Sequence, residues 1–196
     1  MREPFDLGAF QPPEQHVAAD FVIRCYRPGD GPLLAEGVSS SYEHLRTYMP
    51  WARPRQGVAR SERLASEFRL RYQFKRDFTL GVFAREGRLL LGGTGFHMRE
   101  EGGLENLSAE IGMWIPADRA HRGLGTAVLR ELLAWGFREW PWERLGWRCA
   151  GSNAASRRVA LKAGMTQEGI LREHRRQPDG RREDTICFSM LRREWQ

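Results

Sequence analysis

The stretch Leu107–Leu133, LSAEIGMWIPADRAHRGLGTAVLRELL, decides the fold. Leu107–Ile115 predicts a strand with Ile111, Met113 and Ile115 on one face, while Ala109, Glu110 and Trp114 break the alternation. Pro116–His121 is a short loop of turn formers and charge. Arg122–Ala127, RGLGTA, then opens a helix in which Leu124, Val128, Leu132 and Trp135 recur at helical spacing. Leu129, Leu133 and Phe137 make a second stripe beside them, so this helix is expected to be covered on two sides.

A strand, a glycine-bearing loop and a helix start together suit a phosphate. The first amides of a helix lack internal partners, and the helix dipole is positive there. Gly123 and Gly125 remove the β-carbon where a ligand would approach the backbone. Arg122 adds a permanent cation able to fork onto phosphate. The plainer alternative is a glycine-punctuated loop with a solvated arginine. Two nucleotide motifs fail here. The dinucleotide pattern would need a third glycine at Val128, and the P-loop would need a Gly-Lys-Ser or Gly-Lys-Thr step with no lysine near.

The spacing that fits is Arg/Gln-x-x-Gly-x-Gly/Ala, here Arg122, Gly125 and Ala127. It resembles the acetyl-CoA pyrophosphate loop of the GNAT superfamily of N-acetyltransferases. The preceding AEIGMWI resembles that superfamily's central strand, and Asn153–Ser156 followed by Lys162–Met165 resembles its second motif. The branch it looks most like is the Rim type, which acetylates the N-termini of ribosomal proteins. The resemblance runs from Phe21 to Trp195.

That resemblance implies an α/β fold in one domain: a mixed, mostly antiparallel sheet splayed at the central strand and flanked by helices, with the pantetheine arm entering the splay. It implies acetyl-CoA as cosubstrate, no metal, and direct attack by a primary amine. Arg122, Gly123, Leu124, Gly125, Thr126 and Ala127 would hold the pyrophosphate. Backbone amides around Met113, Trp114 and Ile115 would hold the thioester oxygen. Asn153 would hold the pantetheine arm, or would only cap its helix. Ser156, one helical turn further, would point at the sulfur, or would be a small helix residue.

Amine acetylation needs a neutral nitrogen, a donor to the carbonyl, a stabilised leaving thiolate and alignment. Glu110 lies mid-strand, where a carboxylate is partly removed from water, and is the candidate base, acting directly or through water. Its alternative is a place on the solvent face. Many GNAT enzymes carry a tyrosine acid just after the second motif. Here the four tyrosines, Tyr26, Tyr42, Tyr48 and Tyr72, all precede it. Ser156 or solvent then takes that role, with His174 a weaker candidate; His97 and His121 read as surface or packing residues. The favoured acceptor is a protein or peptide N-terminus. A small amine of the aminoglycoside or polyamine kind is the runner-up, and a non-catalytic acyl-CoA- or nucleic-acid-binding module is the rival of a different class.

The rest of the chain divides into an arm, residues 1–19, and a domain, 20–196. Pro12-Pro13 disfavours regular structure in the arm. Asp20–Arg27 predicts a strand, Leu33–Tyr48 a helix in two pieces ended by Pro50, and Ser61 a cap for a helix through Arg76 with Leu64, Phe68, Leu70 and Phe74 as its apolar contacts. The aromatic set Tyr42, Tyr48 and Trp51 would line the acceptor pocket by the resemblance, or pack as core. Phe78–Arg85 and Arg88–Met98 predict a hairpin around Glu86-Gly87, with a bulge at Gly92-Gly93. Arg99–Asn106 is a loop. Arg144–Ala150, a helix capped by Ser152 or Asn153 and stopped by Gly164, Met165–Arg172, a turn at Gln177–Gly180 and Arg182–Leu191 complete the order. Two strands flanking the central helix, with hairpins at either end, give one parallel step.

Composition bounds the classes. The chain has 196 residues, 41% of them hydrophobic and 29% charged, as befits one folded domain. No apolar run suits a membrane span, and acids and prolines near the N-terminus do not resemble a secretion signal, so a cytoplasmic setting is expected. Cys25, Cys149 and Cys187 make neither a disulfide framework nor a zinc pattern. The net charge of +6 comes from spread arginines, which argues for a solvated basic surface and steering of a polyanionic cofactor more than for nucleic acid. A homodimer stays open.

Overall fold

The computed structural model describes residues 5–99, 103–177 and 180–195. The predicted turn residues Pro178 and Asp179, and Glu100–Gly102 of the predicted loop, lie outside the described residues. One sheet runs through the molecule in the order β1-β2-β3-β4-β5-β6-β8-β7. Its strands are β1 Gln15–Val17, β2 Phe21–Cys25, β3 Phe78–Ala84, β4 Leu90–His97, β5 Ser108–Trp114, β6 Arg144–Ala150, β7 Thr166–Arg176 and β8 Arg182–Leu191. Among the described residues only β5 and β6 pair in parallel, so the sheet is mixed and mostly antiparallel, with the single parallel step expected.

The helices are α1 Gly31–Ser40, α2 Tyr42–Leu45, α3 Val58–Gln73, α4 Leu124–Arg138 and α5 Ala154–Lys162. They cover both faces of the sheet and divide the core in two. The larger core gathers α4 with Ile23, Leu80, Phe96, Ile111, Leu145 and Phe188 from successive strands. Val128, Leu129, Leu132, Leu133, Trp135 and Phe137 of α4 are all buried, as its two stripes require. The smaller core joins Leu34, Val38, Leu45 and Ala65 of α1–α3 to Tyr26, Phe83 and Leu90 on the other side of the sheet.

The wall made by α1 and α3 is held by charge as well as packing. Pro32 sits at the start of α1, where its missing N–H costs nothing. The amides of Gly29 and Gly31 donate to the two carboxylate oxygens of Glu62 on α3, at 2.7 and 2.9 Å. A β-carbon at Gly31 would stand 2.7 Å from the Glu62 backbone, so this contact needs glycine. Beneath it Arg24 forks onto Asp30 at 2.7 and 2.9 Å, with its guanidinium 3.6 Å from the centre of the Phe83 ring.

Several boundaries differ from the sequence reading. Ser61 does not cap α3: the helix starts at Val58 after Gly57 in extended backbone, and Ser61 lies buried inside it. Leu70 and Phe74 are exposed; Ala65 and Tyr72 carry the inward stripe instead. The N-terminal arm contributes a strand, because β1 pairs antiparallel with β2 beyond Pro12-Pro13. The central strand shows no clean alternation because both its faces are covered: Ala109 and Ile111 meet the α4 core, while Glu110 is buried on the opposite face. The hairpin bulge falls where expected, with Val82 opposite Gly92 but Phe83 opposite Leu90.

Removing one partner of a buried ion pair strands the other charge. Asp30→Ala is therefore expected to lower the unfolding free energy by about 3–5 kcal/mol in urea titration. A loss within experimental error would mean that the α1 wall does not rest on this pair.

Candidate active site

β5 and β6 are joined over only three residue pairs, Ser108–Glu110 against Arg144–Gly146. β5 then stays with β4 as far as Trp114, and β6 stays with β8 as far as Ala150. The two strands part after Glu110 and Gly146. Backbone groups on the facing edges beyond that point have no strand opposite them. A cleft of about 1540 Å³ opens in the gap, lined on one side by Ile111–Ile115 and on the other by Trp147–Ala150. This is the splay the resemblance implies. It places Met113, Trp114 and Ile115 on the cleft wall. Trp114 can lie against β4 because Gly93 has no side chain there; a β-carbon would collide with the indole.

β5 leads through a 3₁₀ turn, Ala117–Arg119, and two left-handed residues, His121 (φ 62°) and Gly123 (φ 86°), into α4. Gly123 is the N-cap and offers no side chain, and the first helical bond runs from Ala127 N–H to the Gly123 carbonyl at 3.0 Å. The amides of Leu124, Gly125 and Thr126 are thus left for a ligand. Gly123, Gly125 and Thr126 line the cleft. Arg122 is exposed and does not line it, because the left-handed turn starts α4 two residues later than its sequence suggests. Leu124 packs on the α4 core and Ala127 is exposed. The cations that do line this end are Arg119, Arg158 and Lys162.

Asn153 caps α5, its side-chain oxygen accepting from the Ser156 N–H at 3.0 Å. Ser152 is not the cap; its hydroxyl and its N–H both donate to Glu183. The Ser156 hydroxyl accepts from Trp147 Nε1 at 3.0 Å and also bonds the Cys149 thiol. Burial pushes that thiol up, against the lowering effect of the Ser156 bond and of Arg157. Asn153, Ser156, Trp147 and Cys149 all line the cleft, so the second motif does come together with the central strand.

Glu110 is not on a solvent face: its side chain is 6% exposed. Arg99 donates to one of its oxygens at 2.6 Å, and the Arg148 guanidinium stands 3.5 Å from the other. The charges that engage Glu110 come from β6 and from just after β4, which sequence order alone does not reveal.

The sequence reading missed its neighbour. His97 is the register partner of Glu110 on β4, and it lines the cleft rather than the surface. Its Nδ1 lies 3.1 and 3.0 Å from the two carboxylate oxygens of Asp77, which also accepts from Thr79 at 2.9 Å. Burial acts to raise the Asp77 carboxyl, but its bonds with His97, Thr79 and the Met98 N–H outweigh burial and hold it below the usual range. His174 also reaches the cleft, with Nδ1 bonded to Thr185.

The sequence matches the acetyltransferase (GNAT) domain over residues 20–166. The chain belongs to the GNAT acetyltransferases. It is 28% identical over 181 residues to YdaF of Bacillus subtilis (strain 168), for which ribosomal N-acetyltransferase is the proposed role; that match covers 92% of this chain and 96% of YdaF. Among solved structures, RimL, a ribosomal L7/L12 α-N-protein acetyltransferase in complex with coenzyme A, superposes with a TM-score of 0.79 at 20% identity, covering 91% of this chain and 98% of its own. The microcin C7 self-immunity acetyltransferase MccE, in complex with acetyl-CoA and AMP, superposes with a TM-score of 0.78 at 18% identity, covering 89% and 93%. At those identities the two structures speak for the fold. This GNAT enzyme is an acetyl-CoA-dependent N-acetyltransferase, and acetyl-CoA is its cosubstrate. No helix among the described residues is long and apolar enough to cross a membrane.

A β-carbon at Gly125 would meet Val159 at 3.5 Å and Ile115 and Met113 at 3.9 Å, all ordinary contacts. The chain itself therefore has room for a β-carbon here, so the glycine is not required by packing at that atom. Gly125→Val is expected to keep its thermal midpoint within a few degrees while weakening CoA binding at least tenfold, about 1.4 kcal/mol by calorimetry. Unchanged affinity in the folded variant would place the pyrophosphate elsewhere.

Proposed function

We propose that this GNAT enzyme acetylates the α-amine of a protein or peptide N-terminus in the cytoplasm. The observation that carries this reading is the shape of the acceptor side. The cleft, at about 1540 Å³, is not the only depression on this side. At Tyr48, Pro50 and Arg175 it continues into a second groove of about 470 Å³ lined by Arg46, Thr47, Arg176 and Gln177. A polypeptide can place its amine at the splay and leave along that groove. The name of YdaF supports the same class of acceptor.

In this reading the open amides of Leu124–Thr126, with Arg119, Arg158 and Lys162, hold the CoA phosphates, and Arg122 contributes long-range attraction only. Amides on the free edge around Met113–Ile115 polarise the thioester carbonyl. The Asn153 oxygen is spent on capping, so its carboxamide nitrogen is what remains for the pantetheine arm. Ser156 bonds the departing sulfur as charge develops. Both oxygens of Glu110 are engaged by guanidiniums, so it holds Arg99 and Arg148 in place on the cleft wall rather than taking the acceptor's proton.

The test is release of free CoA thiol from acetyl-CoA, with product mapped by mass spectrometry. Peptides with a free α-amine should be acetylated on it, while N-terminally blocked peptides with internal lysines, aminoglycosides and polyamines should not turn over. Turnover confined to the small amines would overturn the reading, and no turnover with any amine would leave a binding module. Ser156→Ala is expected to lower kcat by about 2–3 kcal/mol, roughly 30- to 150-fold, with little change in KM for acetyl-CoA. An unchanged kcat, with chemistry rate-limiting, would remove Ser156 from the reaction.

A further inference from the structure

Acetyl transfer needs a neutral amine, and amino groups at neutral pH are largely protonated. Some group in the cleft must take that proton. Asp77, His97 and Glu110 make a row across three neighbouring strands. Thr79 pairs with Gly95 and Phe78 with Phe96, so one more step sets Asp77 opposite His97. His97 in turn pairs with Glu110. Residues so paired point to the same face, which here is the face of α1 and α3.

Within the row the carboxylates differ. Glu110 is committed to Arg99 and Arg148. Asp77 is committed to His97. An ionised carboxylate only accepts, so Nδ1 of His97 must donate to it, and the neutral ring then carries its lone pair on Nε2. Among the described residues nothing bonds Nε2. Its end of the ring rests on two glycines: a β-carbon at Gly112 would lie 2.9 Å from Nε2, and one at Gly95 would lie 3.1 Å from it. Side chains at either position would cover the lone pair. The His97 side chain is 14% exposed, so the ring is held by protein yet reachable from the cleft.

We propose that His97, oriented by Asp77, is the general base that takes the proton from the acceptor ammonium. The inference rests on the acetyl-transfer reading above and assigns its base. His97 Nε2 accepts one proton from the ammonium. The freed nitrogen lone pair forms the bond to the thioester carbonyl carbon as the carbon–sulfur bond breaks. The surplus proton left on nitrogen passes to the departing sulfur, and the proton on His97 returns to solvent. The charged and titratable groups that line the cleft on this face are Asp77, Glu110, Arg99, Arg148 and Arg76, with Arg60, Glu67 and Arg71 from α3 and His44 from α2. Asp77 is a positioning residue: it fixes the tautomer and steadies the imidazolium, without touching substrate.

The experiment follows kcat/KM against pH for the whole enzyme, using a peptide acceptor and acetyl-CoA. His97→Gln should lower kcat/KM at neutral pH by about 10²–10⁴-fold. Its rate should keep climbing with pH as more amine becomes neutral by itself, and CoA affinity by calorimetry should be unchanged. A weakly basic acceptor, already neutral at the assay pH, should recover most of the loss. Asp77→Asn should lose activity in the same way but less, by stabilising the wrong tautomer. Glu110→Gln should keep the shape of the pH profile even where its rate falls. A His97→Gln enzyme with the parent's rate and profile, or one whose loss is the same for weakly and strongly basic acceptors, would overturn the proposal while leaving acetyl transfer in place. If His97→Gln does not fold, Asp77→Asn decides by the same acceptor comparison. Absence of transfer by the unaltered enzyme would overturn both readings.

Discussion

The site depends on one constraint of backbone pairing. β6 pairs along its whole length with β8, and β5 runs with β4 to its last residue. Each strand of the central pair is held by the neighbour on its far side, and only three parallel pairs join them. Past that junction the strands cannot both follow their own ladders and remain together. The backbone that is exposed must be met by water or by a ligand lying along it. A sheet that paired fully here would have no slot, and the amides at the α4 start would face nothing.

Helix, strand and charge then converge on that slot from different parts of the chain. α4 is buried along both stripes, so its N-terminus cannot shift without disturbing the larger core. The left-handed residues before it turn the chain sharply enough to aim the first amides into the gap. On the face of α1 and α3 the ionic row is built from pairs that satisfy one another: Arg99 and Arg148 on Glu110, His97 on Asp77. Such pairing keeps buried charge tolerable in a cleft that must also admit a substrate.

Legibility in the sequence follows the range of the interaction. The two stripes of α4, the cap at Asn153, the stop at Gly164 and the bulge at Gly92-Gly93 depend on residues a few places apart, and all could be read. Ser61 misled because a good capping residue also fits as a small buried helix residue where α1 and α3 meet, and Gly57 with its extended backbone opens the helix instead. Leu70 and Phe74 misled because apolar residues near a helix end need not face the core. The exposed position of Arg122 beside the cleft could not be read from its spacing, because the left-handed turn that separates it from α4 depends on tertiary fit. His97 was passed over because its partner is distant in sequence. A signal did exist: counting outward from the Glu86-Gly87 turn, with the bulge allowed for, sets Asp77 against His97.

The sheet separates two cores that share almost no side chains. The larger one backs the start of α4, while the smaller one lies under α1–α3. Energetic effects of changes at distant, unconnected sites add rather than multiply into failure. The cores are nevertheless joined beside the cleft: Trp114 of β5 packs on the smaller one, and the Ala117 N–H donates to the Ser41 hydroxyl at 3.0 Å, so substitutions among Leu34, Val38, Leu45 and Ala65 reach the segment that leads into α4. The architecture is thus modular in its two cores but coupled through the single segment that runs from β5 into α4.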